Sequence, residues 1–420
     1  MMPLPRQTRL LGPVCVALLA CNSAIASDNL RVSGFGNVSL IKSGTENLGF
    51  KYDLTKEALY DEWSLKPGSS LGLQLNADIS DQFDAVVQGV LQDRLDNDLN
   101  KTITWAFVRY KANPNLTFRV GRIATPIYML SEYRDVGFAY LWTKPITDFY
   151  SSIPITYVDG GDITYNTQLG EGIFEATLFG GTSDVTIETI FESYEVTLSP
   201  MIGAKFTYSL EDWLFSAVAA TTKVKDGEPA QTLTANIDSN PTIAAVWPES
   251  TSFSSDFMFQ DTRVSYYTVG GHYESGLWNA QAELSYTDAD WPFFPDLAAG
   301  YFSLGRTVNN TTYYGFASKA KTVDDLYEVA APSTFGLSIS QVAEAYQLIN
   351  SNVNARFIDQ ETLGFGLRID ITPQMALKGQ VERTWLKNDQ IGGWLQTIQG
   401  LSAAAPDYID TYSISLSFVF

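Results

Sequence analysis

The chain has 420 residues, of which 47 are acidic and 27 basic, giving a formal charge of −20. So acidic a balance lacks the clustered Lys and Arg that a phosphate backbone demands, which excludes nucleic acid as a partner. Both cysteines, Cys15 and Cys21, fall in the first 21 residues and His272 is the one histidine, so disulfides, zinc sites and Cys- or His-based catalysis lack their parts and no cofactor is expected.

Arg6 and Arg9 make a basic start, residues 10–20 are almost wholly apolar, and Ala24-Ile25-Ala26 places small side chains where a signal peptidase reads them. The pattern predicts a secretory signal peptide over residues 1–26. The competing reading is a lipoprotein site, Leu18-Leu19-Ala20-Cys21, with Cys21 acylated. The mature chain, 27–420, carries 25 basic and 47 acidic groups, a net charge of −22. After the leader no apolar run approaches the roughly 18 residues of a membrane helix.

Strand signals then recur to the end of the chain. Leu116, Phe118 and Val120 alternate with Thr117, Arg119 and Gly121; Trp278, Ala280, Ala282, Leu284 and Tyr286 alternate with Asn279, Gln281, Glu283 and Ser285; Leu363, Phe365, Leu367 and Ile369 alternate with Gly364, Gly366, Arg368 and Asp370. A soluble sandwich alternates in the same way, so the connections carry the decision. Seven short ones, at 79–81, 113–115, 170–172, 211–212, 274–276, 309–310 and 372–374, have the Gly, Pro, Asn, Asp or Ser chemistry of tight hairpins. Eight long stretches take turns with them: 42–67, 93–101, 124–158, 181–192, 224–261, 288–298, 318–360 and 387–406. Sixteen strands with turns at one rim and long loops at the other predict an all-β fold, a transmembrane antiparallel up-and-down barrel over residues 27–420, with short periplasmic turns and long extracellular loops. A short helical pattern at 340–349 falls within the seventh loop.

The final strand carries Tyr412, Ile414, Leu416, Phe418 and Phe420 on one face and serines on the other. An aromatic ending on such a strand resembles the assembly signal of Gram-negative barrels, with Tyr412, Phe418 and Phe420 as its residues. From Leu30-Arg31-Val32-Ser33-Gly34-Phe35-Gly36 through Val120-Gly121-Arg122-Ile123-Ala124-Thr125-Pro126 and Val158-Asp159-Gly160-Gly161-Asp162 to Phe420, the sequence resembles a Gram-negative general porin. The resemblance implies a homotrimer of water-filled barrels, set in outer-membrane lipid by the barrel assembly machinery. Each barrel is narrowed by a third loop, 124–158, folded inside, and passes small hydrophilic solutes and ions without a reaction or a cofactor.

With the apolar faces toward lipid, Arg109, Lys111, Arg119, Arg368 and Lys378 fall on the inner wall, joined by Arg122 at the entry to the third loop. The loop itself offers Glu132, Asp135 and Asp148. Facing acids and bases across a narrow, low-dielectric passage set up a transverse field that orients solutes; the plainer reading is that they hydrate the lumen and pair locally. Trp105, Tyr110, Tyr165, Trp213, Tyr267, Trp278, Tyr286, Tyr314 and Trp385 are expected at the lipid–water boundary. Loop aromatics Tyr128, Tyr140, Trp142, Trp291, Phe293 and Phe294 would serve a substrate-selective pore for sugars or organic acids. Gly34 and Gly36 on the outward face permit the approach of another barrel, with a bulge or plain tolerance of glycine as the equal alternative. Asp93, Asp96 and Asp98 suit a solvated acidic loop better than a calcium site. A barrel enzyme requires a nucleophile and base aligned near the rim, and an adhesin or receptor an occluded lumen. The leader is tested by intact mass of the envelope form: a chain starting near Ser27 is expected, and a lipidated Cys21 overturns the cleavage site.

Overall fold

Backbone N–H and C=O groups of a strand require a neighbour on each side, and a sheet that closes on itself leaves none of its strands with a free edge. The computed structural model describes residues 29–420 apart from 96–97, 152, 154, 189–192, 227–236, 238–239, 252–260, 290–293, 327, 354–356, 389, 391–392 and 398–404. The leader with Cys21, and Asp96, Trp291 and Phe293, lie outside the described residues. Among those described, sixteen strands build the wall. They are β1 Leu30–Ser43, β2 Ser70–Asp78, β3 Phe83–Gln92, β4 Ile103–Asn113, β5 Leu116–Ala124, β6 Tyr157–Leu169, β7 Gly172–Glu188 and β8 Ser193–Leu210. There follow β9 Trp213–Asp226, β10 Thr262–Ser275, β11 Trp278–Ala289, β12 Leu297–Val308, β13 Thr311–Thr322, β14 Asp359–Thr372, β15 Met375–Leu386 and β16 Tyr408–Val419. Each pairs antiparallel with the next, and β1 pairs with both β2 and β16. The fold is a closed 16-stranded antiparallel β-barrel.

The period of two sorts the side chains. Every strand sends a large apolar residue to the outside, from Val38 on β1, Leu73 on β2 and Val87 on β3 round to Phe365 on β14, Val381 on β15 and Ile414 on β16, and all of these are exposed. Near the short turns, rings gather on the same face: Phe83 lies 4.7 Å from Tyr110 and Trp213 is 5.6 Å from Phe215. Tyr165, Trp213, Tyr267, Trp278 and Tyr286 are exposed, as expected of a boundary belt. Trp105 and Tyr314 are not part of it. Trp105 packs on the interior cluster, and buried Tyr314 donates to Gln380 at 2.7 Å, because both stand on the inward register.

One long connection is shorter than its composition indicates. Residues 181–188 continue β7 and pair with β8, Val185 opposite Val196 and Asp184 opposite Thr197. The alternation of Val185 and Ile187 with Asp184 and Thr186 was the signal; the polar members masked it. Residues 189–192 fall outside the described set. The other loops cross-link: Leu48–Gly49 pairs with Leu395–Gln396, and the seventh-loop helix, Ser340–Val353, packs Val342 and Ile349 on Ile243 and Trp247 of the fifth loop.

Closure at the seam depends on two glycines. Phe420 exchanges both backbone hydrogen bonds with Gly34, each 2.9 Å, and a Cβ on Gly34 would meet the Phe420 ring at 2.2 Å. Gly36 seats Phe418 in the same way, at 2.4 Å. The space that these glycines open is therefore filled by rings of the same chain, not by a second barrel. Gly34→Val is expected to reduce the yield of folded barrel much as deletion of Phe420 does, since both unseat the terminal aromatics. The heat-modifiable, folded fraction in outer-membrane preparations measures it, and an unchanged yield for both variants refutes the role of the seam.

Candidate functional site

Four inward residues on neighbouring strands stand in register: Asp84 on β3 is opposite Arg109 on β4, Arg109 is opposite Arg119 on β5, and Arg119 is opposite Asp162 on β6. Side-by-side arginines repel unless each has an anion, and the row supplies one at either end. Arg109 Nε donates to Asp84 at 2.9 Å, and Lys111 Nζ lies 2.9 Å from the same carboxylate. Arg119 grips Asp162 with Nε and Nη2, at 2.6 Å for the shorter pair, and reaches Glu132 of the third loop through Nη1 at 3.0 Å. Three cations are thus met by three carboxylates. Asp84 and Asp162 were missed in the sequence although their even-numbered positions put them on the same face as Gln88 and Thr164.

Arg122 does not join this row. It stands three residues after Arg119 and beyond Gly121, whose φ of 130° no ordinary side chain adopts. Its guanidinium is spent on Asp159 at 2.6 Å, on the carbonyls of Asn100 and Ile103, and on the Tyr157 ring 3.9 Å away. Asp135 lines a cavity of about 80 Å³ with Asp53, Lys56, Arg94 and Arg134. Burial acts to raise the Asp53 carboxyl, but Lys56 and Arg134 outweigh it and hold it below the usual carboxylate range.

The third loop, 125–156, carries irregular backbone whose polar groups need partners once it leaves water. Inward residues of the far wall supply them. Lys378 Nζ, fully buried, donates to the carbonyls of Gly137, Tyr140 and Trp142 at 2.5, 2.5 and 2.9 Å. Arg368 Nη1 donates to the carbonyls of Phe138 and Tyr140 at 2.7 and 3.2 Å. Trp142 Nε1 donates to Ser303 at 2.9 Å, and Lys144 pairs with Glu382 at 2.8 Å, both buried. On the other side Lys205 Nζ reaches the Tyr128 carbonyl at 3.3 Å. Glu283 accepts from the Met129 N–H at 3.0 Å and from the Tyr150 hydroxyl. Arg368 and Lys378, expected to line a constriction, are the loop's anchors: the three donors of Lys378 are all taken by carbonyls, and Arg368 commits Nη1 to the loop and Nε to Asp370.

Asp148 is also withdrawn from the passage. It is buried, accepts from Ser318 at 2.7 Å and Gln360 at 2.5 Å, and has no cation in contact among the described residues. Burial pushes its carboxyl above the ordinary range. Tyr128, Tyr140 and Trp142 are likewise buried in the loop's aromatic core, with Tyr128 5.1 Å from Tyr150 and Trp142 5.5 Å from Tyr301, so they offer no exposed track of rings. His272 contacts Asn279 at 2.9 Å and lies 4.0 Å from Glu274, an amide and a carboxylate and not the hydroxyl that an imidazole base would activate.

No family model and no curated protein matches the sequence. Solved structures do. An outer membrane protein OmpT of Vibrio cholerae, in a trimer form, is 11% identical and aligns 94% of this chain with 100% of its own at a TM-score of 0.51. OmpF of Salmonella typhi in complex with daunomycin is 12% identical, over 95% of this chain and 100% of that one, at 0.52. The outer membrane channel DcaP of Acinetobacter baumannii is 12% identical, over 94% and 99%, at 0.53. The likeness is one of fold. It leaves the lumen's own residues to argue for function.

The raised Asp148 carboxyl has a defined pH consequence. A carboxyl that holds its proton more tightly when folded favours the fold below the ordinary carboxylate range, and this contribution is lost as pH rises through the raised value. Asp148→Asn, which cannot ionise, is therefore expected to be more heat-stable than the parent at pH 7, with the two curves converging as pH falls toward 4. A gap that widens on acidification overturns the assignment.

Proposed function

We propose that the chain spans the outer membrane and acts as a passive diffusion channel for small hydrophilic solutes and ions. One observation carries the reading: all sixteen strands expose apolar side chains outward, while the inner face holds hydroxyls, amides and paired charges together with the apolar side chains that seat the third loop. In water such an exterior is a continuous apolar belt far beyond an ordinary surface patch; in hydrocarbon it is the expected face of a spanning barrel. The driving force is the solute gradient, and neither a reaction nor a cofactor is invoked. Tyr412, Phe418 and Phe420 serve as the signal read by the barrel assembly machinery. A homotrimer is the proposed assembly, in keeping with the trimer form of one structural neighbour.

The path runs past the Asp84–Arg109–Arg119–Asp162 row, with Lys111 and Glu132 beside it and Asp135 above. Because the third loop is tied to β8 and β11 on one side and to β12, β14 and β15 on the other, the passage is narrow. That favours small solutes and leaves room for the selective reading, sugars or organic acids, although the buried aromatics argue against stacking as its means. Local charge at the row is balanced, so the acidic mature chain sets the potential at the mouth.

Single-channel recording in planar bilayers tests this. Steady open current is expected, with a cation-preferring reversal potential in a KCl gradient, a shift toward chloride in Asp84→Asn/Asp162→Asn, and a larger conductance when the third loop is shortened. Electrical silence overturns the channel, and unchanged current on shortening overturns the loop's role within it.

A further inference from the structure

The inner wall mixes polar and apolar residues, and in one sector the apolar ones run together. On the loop side of β7 to β10, the inward positions include Val185, Val196, Leu198, Ala220, Val224 and Val264, interrupted by Thr222 and Thr262. Facing them across an unfilled space of about 100 Å³ are Ile127, Ile153 and Ile155 of the third loop. The Tyr266 ring, held 5.7 Å from Tyr128, borders the same space. The walls present apolar atoms almost throughout.

We propose that this chamber is a binding site for a small, wholly apolar molecule or moiety, about the size of one aromatic ring. Water is a poor occupant, because it needs two to four polar partners and, although Thr221, Thr222, Thr262 and Tyr266 border the space, almost none of the surface turned toward it is polar. An empty chamber is a poor alternative, since each lining side chain forfeits its dispersion contacts on that side. Apolar cavities of about 150 Å³ lined by Leu, Ile and Phe take up benzene for this reason. Ionised groups are excluded: a carboxylate or ammonium placed here loses its hydration and finds no counter-charge. The ligand class therefore differs from the hydrophilic solutes proposed for the passage. The chamber lies between the loop and the wall, away from the charged row at Arg119, so the two readings stand or fall separately.

The test uses the mature protein in lipid nanodiscs with fluorobenzene as the probe, observed by fluorine NMR against empty discs. Saturable binding beyond simple partitioning is expected. It should weaken at least about tenfold in Ala220→Trp and in Val264→Trp, which fill the chamber from two strands, and persist in Ala219→Trp, whose ring points outward. Ionised 4-fluorobenzoate should bind at least about tenfold more weakly than fluorobenzene. Heat-modifiability verifies that each variant folds. Binding no greater than that of empty discs overturns the proposal and means that the chamber is a packing void or is filled by the chain itself. Equal affinity for fluorobenzoate, or undiminished binding in the folded filling variants, overturns it as well.

Discussion

Irregular backbone placed inside a barrel obliges each buried N–H and C=O to find a partner, and much of the inner wall is arranged to meet that demand. The third loop leaves β5 and returns at β6, yet its carbonyls are closed by Lys378 and Arg368 on the opposite side. Its side chains meet Ser303, Glu382, Ser413 and Gln360 on four further inward positions. An uncapped buried carbonyl costs on the order of 1–3 kcal/mol, so a loop with this many anchors behaves as part of the wall. The buried cations are affordable only because each is surrounded by acceptors; Lys378 has three carbonyls, and Lys144 has Glu382 and the Thr147 hydroxyl.

The same accounting changes how the charges are read. Nine ionisable residues looked, by position, like contributors to a transverse field. Four of them, Asp148, Arg368, Lys378 and Arg122, are committed to the loop or the rim. Arg109, Lys111 and Arg119 share Asp84, Asp162 and Glu132 at contact distance, which leaves a row of alternating dipoles with little net charge. A field over such a row falls off within a few ångströms, whereas the net charge of the whole acidic chain acts over a screening length of about 8–10 Å at moderate salt.

Beyond the barrel wall, the loops pair with one another. The first and eighth loops share a two-residue ladder and a cluster of Phe50, Leu59 and Trp394; the fifth and seventh share Trp247, whose indole donates to the Ala330 carbonyl at 2.8 Å. Lys101 of the second loop reaches Glu195 on the β7–β8 hairpin at 2.7 Å. Long connections that would otherwise lose ordering entropy singly are thereby held as joined pairs over the mouth.

Strand number, order, face and closure were legible in the sequence because each is written locally: the alternation has a period of two residues, and the hairpin chemistry occupies two to four. β12 and β13 meet at the 309–310 turn, as the hairpin chemistry there predicts. Parity also placed Arg109, Arg119 and Lys378 inward, and, read to the end, would have separated Arg122 from Arg119 and added Asp84 and Asp162. The tertiary structure alone decided what those residues do. Lys378 meets Gly137 across 241 residues of chain and Asp148 meets Gln360 across 212, and no local pattern encodes which inward side chain a loop will settle against. The sequence by itself determined a barrel with an apolar outside and a largely polar inside; which charges pair with one another along the wall, which are spent as anchors, and where an apolar chamber opens depended on the path of one loop through the lumen, because buried polar groups choose partners by distance in space.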